Sequence, residues 1–415
     1  MKIAVLGAGL AGITAAWALR RDGHDIVVID RQLHPASETS FANAGLISPG
    51  HAFAWASPKV PGILLRSLYR GDQAFRLKPK LDLAMWRWMV KFLGECTAEK
   101  ARRNTLRKHR LCLYGQQSLS SMALEAGISY HATNRGLLYL YRTPQSLERG
   151  IANLEILAEL GQKQEILDRA AVVRLEPALS SARDNFVGAV YCPTDGSGDA
   201  HVFTRSLADR MVALGVRFRL GEAIERIETV GSKVSSIKTA KGRVEADAYV
   251  VALGAYAPII LKPLKYRLPI YPVKGYSLTF PIIDPSAAPV LGGVDEDNLV
   301  AFSRLGDKLR LTATAEFSGY DTRHQPSDFS TMIRTGSQLF PGAAAWDQPN
   351  YWSCLRPMTP QGQPILGKGH HDNLWLCAGH GHMGWTMAAG TARILADLMA
   401  GRQADIDLEG LLYKS

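Results

Sequence analysis

The sequence predicts an α/β fold with two domains, and three observations support this prediction. A strand–turn–helix–strand unit opens the chain, a second Gly-rich strand–turn–helix lies near its end, and strand-rich segments stand between them. A chain of 415 residues also exceeds the size range in which one hydrophobic core keeps growing. Because segments of the nucleotide-binding type occur at the start, middle and end, we expect that domain to be discontinuous.

Residues 1–31 carry the first observation. An apolar strand precedes the turn G-A-G-L-A-G at 7–12, which is followed by a helix and a second apolar strand ending at Asp30. In this G-x-G-x-x-G pattern the glycines allow a sharp turn, close approach to a pyrophosphate, and tight packing of helix on strand. The helix N-terminus favours phosphate, and Asp30 can accept hydrogen bonds from ribose hydroxyls. The unit therefore predicts a Rossmann-like dinucleotide site without identifying the dinucleotide.

The middle of the chain alternates strands and helices. We expect a loop of small residues at 32–50, helical periodicity at 51–125, strands at 136–141 and 217–220, helices at 147–160 and from 199 onward, a β-meander at 224–251, and a hairpin turn at 305–307. The strand that ends the meander leads into Gly254, a second place where backbone can meet a dinucleotide.

Near the C-terminus, an apolar strand at 374–377 meets the turn G-H-G-H-M-G at 379–384, and a helix is expected from about Trp385. An NAD-dependent dehydrogenase has little use for a second unit of this kind, whereas a flavin enzyme has one. A helix N-terminus facing the flavin pyrimidine stabilises the negative charge that accumulates there on reduction. The two units together therefore favour FAD.

The charge balance and the cysteines limit the classes of partner. The chain has 48 basic and 38 acidic residues, a net charge of +10, which we interpret as a solvated basic surface. A more specific interpretation of this charge is attraction to an anionic membrane or to acidic ligands. No recognised nucleic-acid module occurs, so nucleic acid is not expected as a partner. The five scattered cysteines lack a C-x-x-C pattern, which fits a reducing compartment and argues against a disulfide scaffold or zinc site.

The apolar segments do not predict a membrane span. Residues 3–19 follow Lys2 in the manner of a signal peptide, but the strand–turn–helix order favours a Rossmann start. No other uncharged apolar run approaches the length of about 18 residues that a span needs. We expect a cytoplasmic protein. The Trp-, Met- and Arg-rich stretch 81–103 leaves two interpretations open: peripheral contact with the cytoplasmic face of the inner membrane, where a quinone is reduced, or core packing with a basic outer face.

Longer motifs carry a resemblance to a known family. They are VLGAGLAGITAAWAL, VVIDR, ETSFANAGLISPG, PTDGSGDAHVFT, YPVKGYSLTFPI, LRPMTPQGQPILG and LWLCAGHGHMGWTMA. Over nearly the whole chain they resemble the bacterial FAD-dependent D-amino acid dehydrogenases, within the superfamily of D-amino acid oxidase, glycine oxidase and sarcosine oxidase. The resemblance implies oxidative deamination of D-amino acids to 2-oxo acids and ammonia, with hydride transfer from Cα to FAD N5 and electrons passed to a quinone or a dye.

The domain boundaries follow from the same segments. We expect a discontinuous FAD-binding domain (1–50, 196–262 and 352–415), a mixed-sheet α+β substrate domain (126–195 and 263–351), and a helical insertion between them (51–125).

The resemblance also implies roles for individual residues. Those expected to bind the cofactor are Gly7, Gly9, Leu10, Ala11, Gly12, Asp30 and Arg31 near the ADP moiety, Ser40, Asn43, Ala44, Gly45 and Leu46 at the flavin ring, and Gly381, His382, Met383, Gly384 and Thr386 at its pyrimidine edge. Arg356 matches the arginine that pairs with the substrate carboxylate, assisted by Tyr271 or Tyr276. The chain departs from the family's common pattern at Leu46, where Gln is frequent, and at His382-Met383, where Thr-Leu is frequent. These departures concern substrate preference and flavin tuning.

Several alternatives stay open at this point. The chain could instead oxidise cyclic D-amino acids of the D-proline or D-hydroxyproline type, use O2 as an oxidase, or serve as a non-catalytic FAD-binding subunit. The chemistry needs orientation of Cα–H more than a dedicated base. His380 and His382 are too few for a metal site, so no metal is expected. Lys274 could be catalytic or oxygen-activating, whereas a strand lysine is more often solvated, and both interpretations stay open. FAD is expected to bind without a covalent link, and the oligomeric state is left open.

Overall fold

The computed structural model describes residues 1–67, 75–77 and 82–413. The helices in these ranges are α1 (Leu10–Arg21), α2 (Val60–Ser67), α3 (Leu83–Gly94), α4 (Ala98–Ala126), α5 (Pro144–Ala158), α6 (Arg169–Leu175), α7 (Ala200–Ala213), α8 (Ala257–Leu261), α9 (Ser330–Leu339) and α10 (Gly384–Met399). The strands are β1 (Lys2–Leu6), β2 (Asp25–Ile29), β3 (Leu46–Ile47), β4 (Phe75–Leu77), β5 (Leu137–Tyr141), β6 (Glu165–Asp168), β7 (Gly188–Cys192), β8 (Gly196–Ser197), β9 (Arg217–Arg219), β10 (Ile224–Val230), β11 (Lys233–Thr239), β12 (Gly242–Val244), β13 (Ala248–Val251), β14 (Tyr271–Pro281), β15 (Gly292–Asp295), β16 (Val300–Leu305), β17 (Lys308–Phe317), β18 (Asn350–Met358), β19 (Ile365–Lys368) and β20 (Leu374–Ala378).

A six-stranded sheet has the strand order β19-β20-β13-β1-β2-β9. The strands from β20 to β9 are parallel, and the edge strand β19 runs antiparallel to β20. Ile3 and Val5 pack with α1, α7 and α10 on one face, whereas Ala4 and Leu6 pack with β10–β12 and α8 on the other. Burial on both faces explains the nearly continuous apolar strands. The sheet joins strands from the start, middle and end of the chain, which confirms the predicted discontinuous α/β unit.

The second sheet is mixed, as predicted. Its order is β18-β14-β17-β16-β15-β5-β7-β6, with β4 paired to β17. β14 is antiparallel to β17 and β18, whereas β15 is parallel to β5. Helices α6 and α9 cover one face. Side chains of β16 and β17 hold the loop before β3, since Ser303 Oγ donates to the Ala44 carbonyl (2.7 Å) and Arg310 donates to the Asn43 carbonyl (3.0 Å).

The strand β18 lies in this mixed sheet. The domain boundary expected at 352 therefore falls inside a strand, because β18 begins at Asn350 and pairs with β14 along its whole length. The backbone around Arg356 pairs with β14 and completes that edge of the sheet. Arg356 is consequently carried by the second sheet.

The segment 51–125 contributes α2, β4, α3 and α4 in its described part, whereas residues 68–74 and 78–81 lie outside the described residues. The described part of the stretch 81–103 therefore begins at Asp82, whose side chain caps α3. Met85, Trp88 and Phe92 of α3 are buried against the β14 and β17 region. No helix in the described ranges is both long enough and apolar enough to cross a membrane. All five cysteines are free thiols.

The helices α4 and α10 approach each other through glycine. A Cβ placed on Gly390 would lie 2.8 Å from the Gly115 Cα, and one on Gly115 would lie 2.9 Å from the Met387 Cα. Real Cβ atoms do not tolerate such distances, so backbone contacts backbone here. Thr14 of α1 adds a hydrogen bond to the Ala388 carbonyl (3.3 Å). These contacts fix where α10 begins, beside the start of α1.

We expect Gly115→Ala to lower the free energy of unfolding by about 1–3 kcal/mol, because the added methyl group must separate two packed helices. Urea unfolding followed by circular dichroism measures this change. Gly62→Ala in α2 is the matched control, since a Cβ there meets no atom within 4 Å, and we expect it to be neutral or stabilising. Equal effects of the two substitutions would contradict the packing argument.

Candidate active site

A cavity of about 1480 Å³ lies between the two sheets. This volume exceeds the range of roughly 300–1,000 Å³ that is usual for small-molecule sites, so the cavity can hold a large cofactor together with a substrate. The predicted site residues that line it are Gly7, Gly9, Leu10, Ala11, Asp30, Arg31, Ser40, Asn43, Ala44, Gly45, Leu46, Gly254, Tyr276, Arg356, Gly381, His382, Met383 and Gly384. Three predicted residues, Gly12, Thr386 and Tyr271, are not part of this lining.

The first glycine turn depends on backbone contacts that no larger residue permits. Gly7 has φ +109°, and a Cβ on it would lie 2.6 Å from the Ala252 carbonyl oxygen. A Cβ on Gly12 would overlap the Gly7 carbonyl, so Gly12 supports the turn from behind the cavity. The cap residue of α1 is Gly9, which offers no side-chain hydrogen bond. The first turn of α1 therefore presents backbone N–H groups and a positive dipole end to the cavity.

Asp30 holds this turn as well as lining the cavity. Its Oδ2 accepts a hydrogen bond from the Ala8 amide (2.6 Å), and its Oδ1 accepts one from the Gln32 amide (2.8 Å). Burial raises the pKa of the Asp30 carboxyl, and the two amides partly offset this shift. The neighbouring Arg31 lies over the Tyr256 ring, 4.0 Å from its centroid, and pairs with Glu38 (2.6 Å).

The second glycine turn begins α10 in a similar way. Gly379 and Gly381 have φ values of +77° and +58°. The cap residue Met383 makes no side-chain hydrogen bond to α10. The Gly381 amide donates to the Pro357 carbonyl (3.0 Å), which ties the turn to β18. The N-termini of α1 and α10 thus face one cavity, with Ser40 Oγ accepting a hydrogen bond from the first amide of α1, that of Leu10 (3.0 Å).

The two histidines of this turn have different surroundings. His380 Nε2 lies 2.9 Å from the Thr391 hydroxyl, and burial lowers the pKa of His380 to about 4. His382 lines the cavity and stacks on Trp55, with ring centroids 4.6 Å apart. Among the described residues no three His, Cys, Asp or Glu side chains are grouped to hold a metal ion. Thr386 lies deeper, where its hydroxyl accepts a hydrogen bond from the Ser48 amide (3.2 Å).

Arg356 extends from β18 across Gly275 of β14. A Cβ on Gly275 would lie 2.6 Å from the guanidinium carbon, so a glycine is required beneath it. The guanidinium donates to the carbonyls of Thr314 (2.7 Å) and Ala313 (3.4 Å). Those carbonyls turn toward it because the β14–β17 register shifts beside Thr314, whose φ of +60° is rare for a β-branched residue.

The guanidinium of Arg356 has no carboxylate partner within the described ranges. Burial lowers its pKa, which reflects the cost of a desolvated charge. Five N–H donors on a planar fork, partly used by two carbonyls, leave donors for an anionic ligand in the cavity. A half-buried guanidinium of this kind is suited to pairing with a carboxylate.

The two candidate tyrosines are not equivalent. The Tyr271 hydroxyl donates to Asp82 (3.3 Å) and accepts from the Gly319 amide (3.0 Å), and its ring packs under α3. Tyr276 lines the cavity, but its hydroxyl donates to Glu316 Oε2 (2.8 Å). Burial, followed by Glu316, raises the pKa of Tyr276, so the phenol stays protonated.

Lys274 differs from a solvated strand lysine. It is buried and pairs with Glu316 Oε1 (2.9 Å), and it donates to the Arg323 carbonyl (3.0 Å). The reason is its position in β14, where alternate side chains enter the core between the sheet and α9.

A His–Glu pair in the cavity wall escaped the sequence analysis. His51 Nε2 lies 2.9 Å from Glu296 Oε1, and the His51 ring stacks on Tyr139 with centroids 4.8 Å apart. Burial lowers the pKa of His51, but the Glu296 charge outweighs it and the net shift is upward. The Tyr139 hydroxyl donates to Asp195 (2.9 Å), whose pKa burial raises to about 7. His51 follows the small-residue loop at 32–50 directly, which was the available sequence signal.

Comparisons with known proteins show which protein family this chain belongs to. The family model described as FAD dependent oxidoreductase matches residues 2–398. D-amino acid dehydrogenase 2 of Mesorhizobium japonicum is 44% identical over 414 residues, covering 100% of each chain. D-amino acid dehydrogenase of Granulibacter bethesdensis is 43% identical over 407 residues, covering 98% of this chain and 97% of the relative.

Solved structures resemble the fold. Glycine oxidase from Geobacillus kaustophilus superposes with a TM-score of 0.75 at 21% identity, covering 99% of this chain and 98% of that one. Glycine oxidase from Bacillus cereus gives 0.74 at 20% identity, covering 100% and 99%. The family match over nearly the whole chain, with the two glycine turns on one cavity, leads to one conclusion: the chain belongs to the family of FAD-dependent oxidoreductases.

Proposed function

We propose that this chain is a dehydrogenase that oxidises D-amino acids to 2-oxo acids and ammonia. The observation that carries the proposal is Arg356, a half-buried guanidinium in the cavity wall without a carboxylate partner among the described residues. A substrate carboxylate would supply that partner through charge-assisted hydrogen bonds. The relatives named D-amino acid dehydrogenase, at 43–44% identity over almost the whole chain, support the D-amino acid as substrate.

The residues present fit FAD. The N-terminus of α1 suits the pyrophosphate, and the N-terminus of α10 suits the flavin carbonyl edge. Residues Asn43 to Leu46, fixed by Ser303 and Arg310, would line the ring. Gly254 lies in the same wall as Gly7. Bound FAD supplies the acceptor for the hydride that leaves Cα.

The protein's contribution is orientation and exclusion of water. The Thr314 and Ala313 carbonyls and the Gly275 backbone fix the guanidinium of Arg356, so a bound carboxylate would have a defined position. Phe53 and Trp55 line the same cavity and limit water around the reacting carbon. The substrate loses an ammonium proton before its Cα–H leaves as hydride, and water then converts the imino acid to the 2-oxo acid and ammonia. The hydride transfer needs a substrate held in one pose.

The proposal predicts the outcome of an anaerobic mixing experiment. D-alanine and D-leucine should bleach the flavin absorbance of the FAD-loaded protein, and their L-enantiomers should not. A soluble quinone analogue should then restore the absorbance with little peroxide formed. Absence of bleaching by every D-amino acid tested would contradict the proposal. Stoichiometric peroxide under air would identify an oxidase, and reaction with D-proline alone would identify a dehydrogenase of cyclic substrates.

Removal of the Arg356 guanidinium tests the carboxylate site. We expect Arg356→Ala to raise KM at least about 100-fold, since loss of a charge-assisted pair costs roughly 3 kcal/mol. The KM of Arg356→Lys should lie between those of the wild-type protein and Arg356→Ala, because lysine keeps the charge and loses the planar fork. Arg243→Ala, at an exposed ion pair on the β10–β12 meander, is the control with unchanged KM. Steady-state kinetics with D-alanine measure these values, and an unchanged KM in Arg356→Ala would overturn the assignment.

We further propose that α3 lies against a membrane surface when electrons pass to a quinone. Four apolar side chains are exposed along one face of this helix: Leu83 (73%), Trp86 (44%), Val90 (71%) and Leu93 (41%). Their spacing of three, four and three residues forms one stripe. The opposite face of α3 packs near the cavity, where the Trp88 indole donates to the Met358 carbonyl, two residues beyond Arg356. An apolar stripe on a chain of net charge +10 suits an anionic lipid surface.

Vesicle sedimentation tests this surface. We expect Val90→Glu to weaken binding to anionic phospholipid vesicles about tenfold or more, because it places a charge where an apolar side chain would enter the interface. Val230→Glu is the matched control, since Val230 is 74% exposed on the distant meander. Equal binding by the wild-type protein and both variants would contradict membrane contact through α3.

A further inference from the structure

Lys108 of α4 is a buried cation. It belongs neither to the two glycine turns nor to the carboxylate site at Arg356. It is 0% exposed. Its Nζ donates to the Phe53 carbonyl (2.5 Å) and lies 3.4 Å from His382 Nε2. No carboxylate pairs with it in the part of the chain that the structure describes. Cys112, one turn further along α4, stays a neutral thiol because burial raises its pKa to about 12.

The contact with Lys108 determines which ring nitrogen of His382 carries the proton. An ammonium group only donates hydrogen bonds, so His382 Nε2 must accept and its Nδ1 must carry the proton. The ring stays neutral because burial, and then the charges of Lys108, Arg356 and His51, hold the pKa of His382 well below its usual range. His382 therefore presents a neutral N–H donor within the turn that begins α10.

We propose that Lys108 is a positioning residue that acts through His382: it fixes the His382 tautomer and adds positive potential at the pyrimidine end of the flavin site. His382 lines the cavity in the turn whose helix N-terminus already faces that end. Negative charge accumulates there when the flavin is reduced, so a donor and a nearby cation favour the reduced form. The inference rests on the proposed function only for the placement of the flavin.

The surroundings of Lys108 allow a readout that depends on pH. Burial lowers the pKa of Lys108 to about 8. The charge is present below this pH and lost above it. The groups that face Lys108 and His382 are Cys112 on α4, Arg356 on β18 and His51 after the loop at 32–50. Cys112 stays protonated at this pH, burial lowers the pKa of Arg356, and the pKa of His51 is raised because Glu296 outweighs the effect of burial.

The test is the midpoint potential of bound FAD, measured by dye equilibration without substrate. At pH 6.5 we expect Lys108→Met to lower the equilibrium constant for two-electron reduction about tenfold, which corresponds to roughly 30 mV. The difference from the wild-type protein should close as the pH rises from 7 to 10, because the wild-type lysine itself becomes neutral. A purely structural role would give a difference that does not change with pH.

Two further variants keep the test decisive. Lys108→Gln retains a hydrogen-bond donor without the charge, so it should resemble Lys108→Met in potential even if methionine is poorly accommodated. Lys100→Met, at an exposed position on the same helix, is the control with an unchanged potential. A potential of Lys108→Met and Lys108→Gln equal to that of the wild-type protein at pH 6.5 would overturn the inference. Because no substrate is used, this result is independent of whether D-amino acids reduce the flavin.

Discussion

The close approach of α1, α4 and α10 is the constraint on which the site depends. Gly115 and Gly390 remove the side chains between α4 and α10, and Thr14 ties α1 to the Ala388 carbonyl. As a result α1 and α10 begin side by side, each with a cap residue that offers no side-chain bond. Apart from the Leu10 amide, which donates to Ser40 Oγ, the first N–H groups of both helices face the cavity, where the pyrophosphate and the carbonyl edge of a flavin would accept from them.

The second sheet contributes a cation to the cavity. It brings Arg356 to the cavity over Gly275, with carbonyls that fix the guanidinium but do not neutralise it. Lys108 adds a second uncompensated cation behind His382. A desolvated cation without an acidic partner costs folding free energy, so Arg356 in the cavity wall and Lys108 behind that wall favour anionic ligands or anionic charge that forms during reaction. The helix ends and the cations therefore act in the same direction on the bound molecules.

Much of this could be predicted from the sequence because the decisive residues are local in it. The structure confirms four predicted elements: the G-x-G-x-x-G turn, the strand that leads to Asp30, the hairpin at 305–307, and the second glycine turn with its helix. Glycine spacing and strand hydrophobicity reflect backbone requirements that neighbouring residues alone decide. The predicted roles of the site residues stay predictions.

The remaining features depend on tertiary contacts. Lys108 lies among exposed and half-buried arginines in α4, and nothing in its neighbours signals that it enters the core. For Lys274 the sequence left a catalytic and a solvated position open, and strand alternation places it against Glu316. Tyr271 and Tyr276 are five residues apart on one strand, and only the fold shows that one packs under α3 while the other reaches the cavity. The edge position of β18 likewise follows from pairing with β14.

The most direct measurement is a crystal structure of the FAD-loaded protein with a 2-oxo acid product bound. We expect the pyrophosphate at the N-terminus of α1, the flavin carbonyl edge at the turn before α10, and the product carboxylate in a two-point hydrogen bond with Arg356. A carboxylate bound elsewhere, with the Arg356 guanidinium left on its two carbonyls alone, would contradict this expectation.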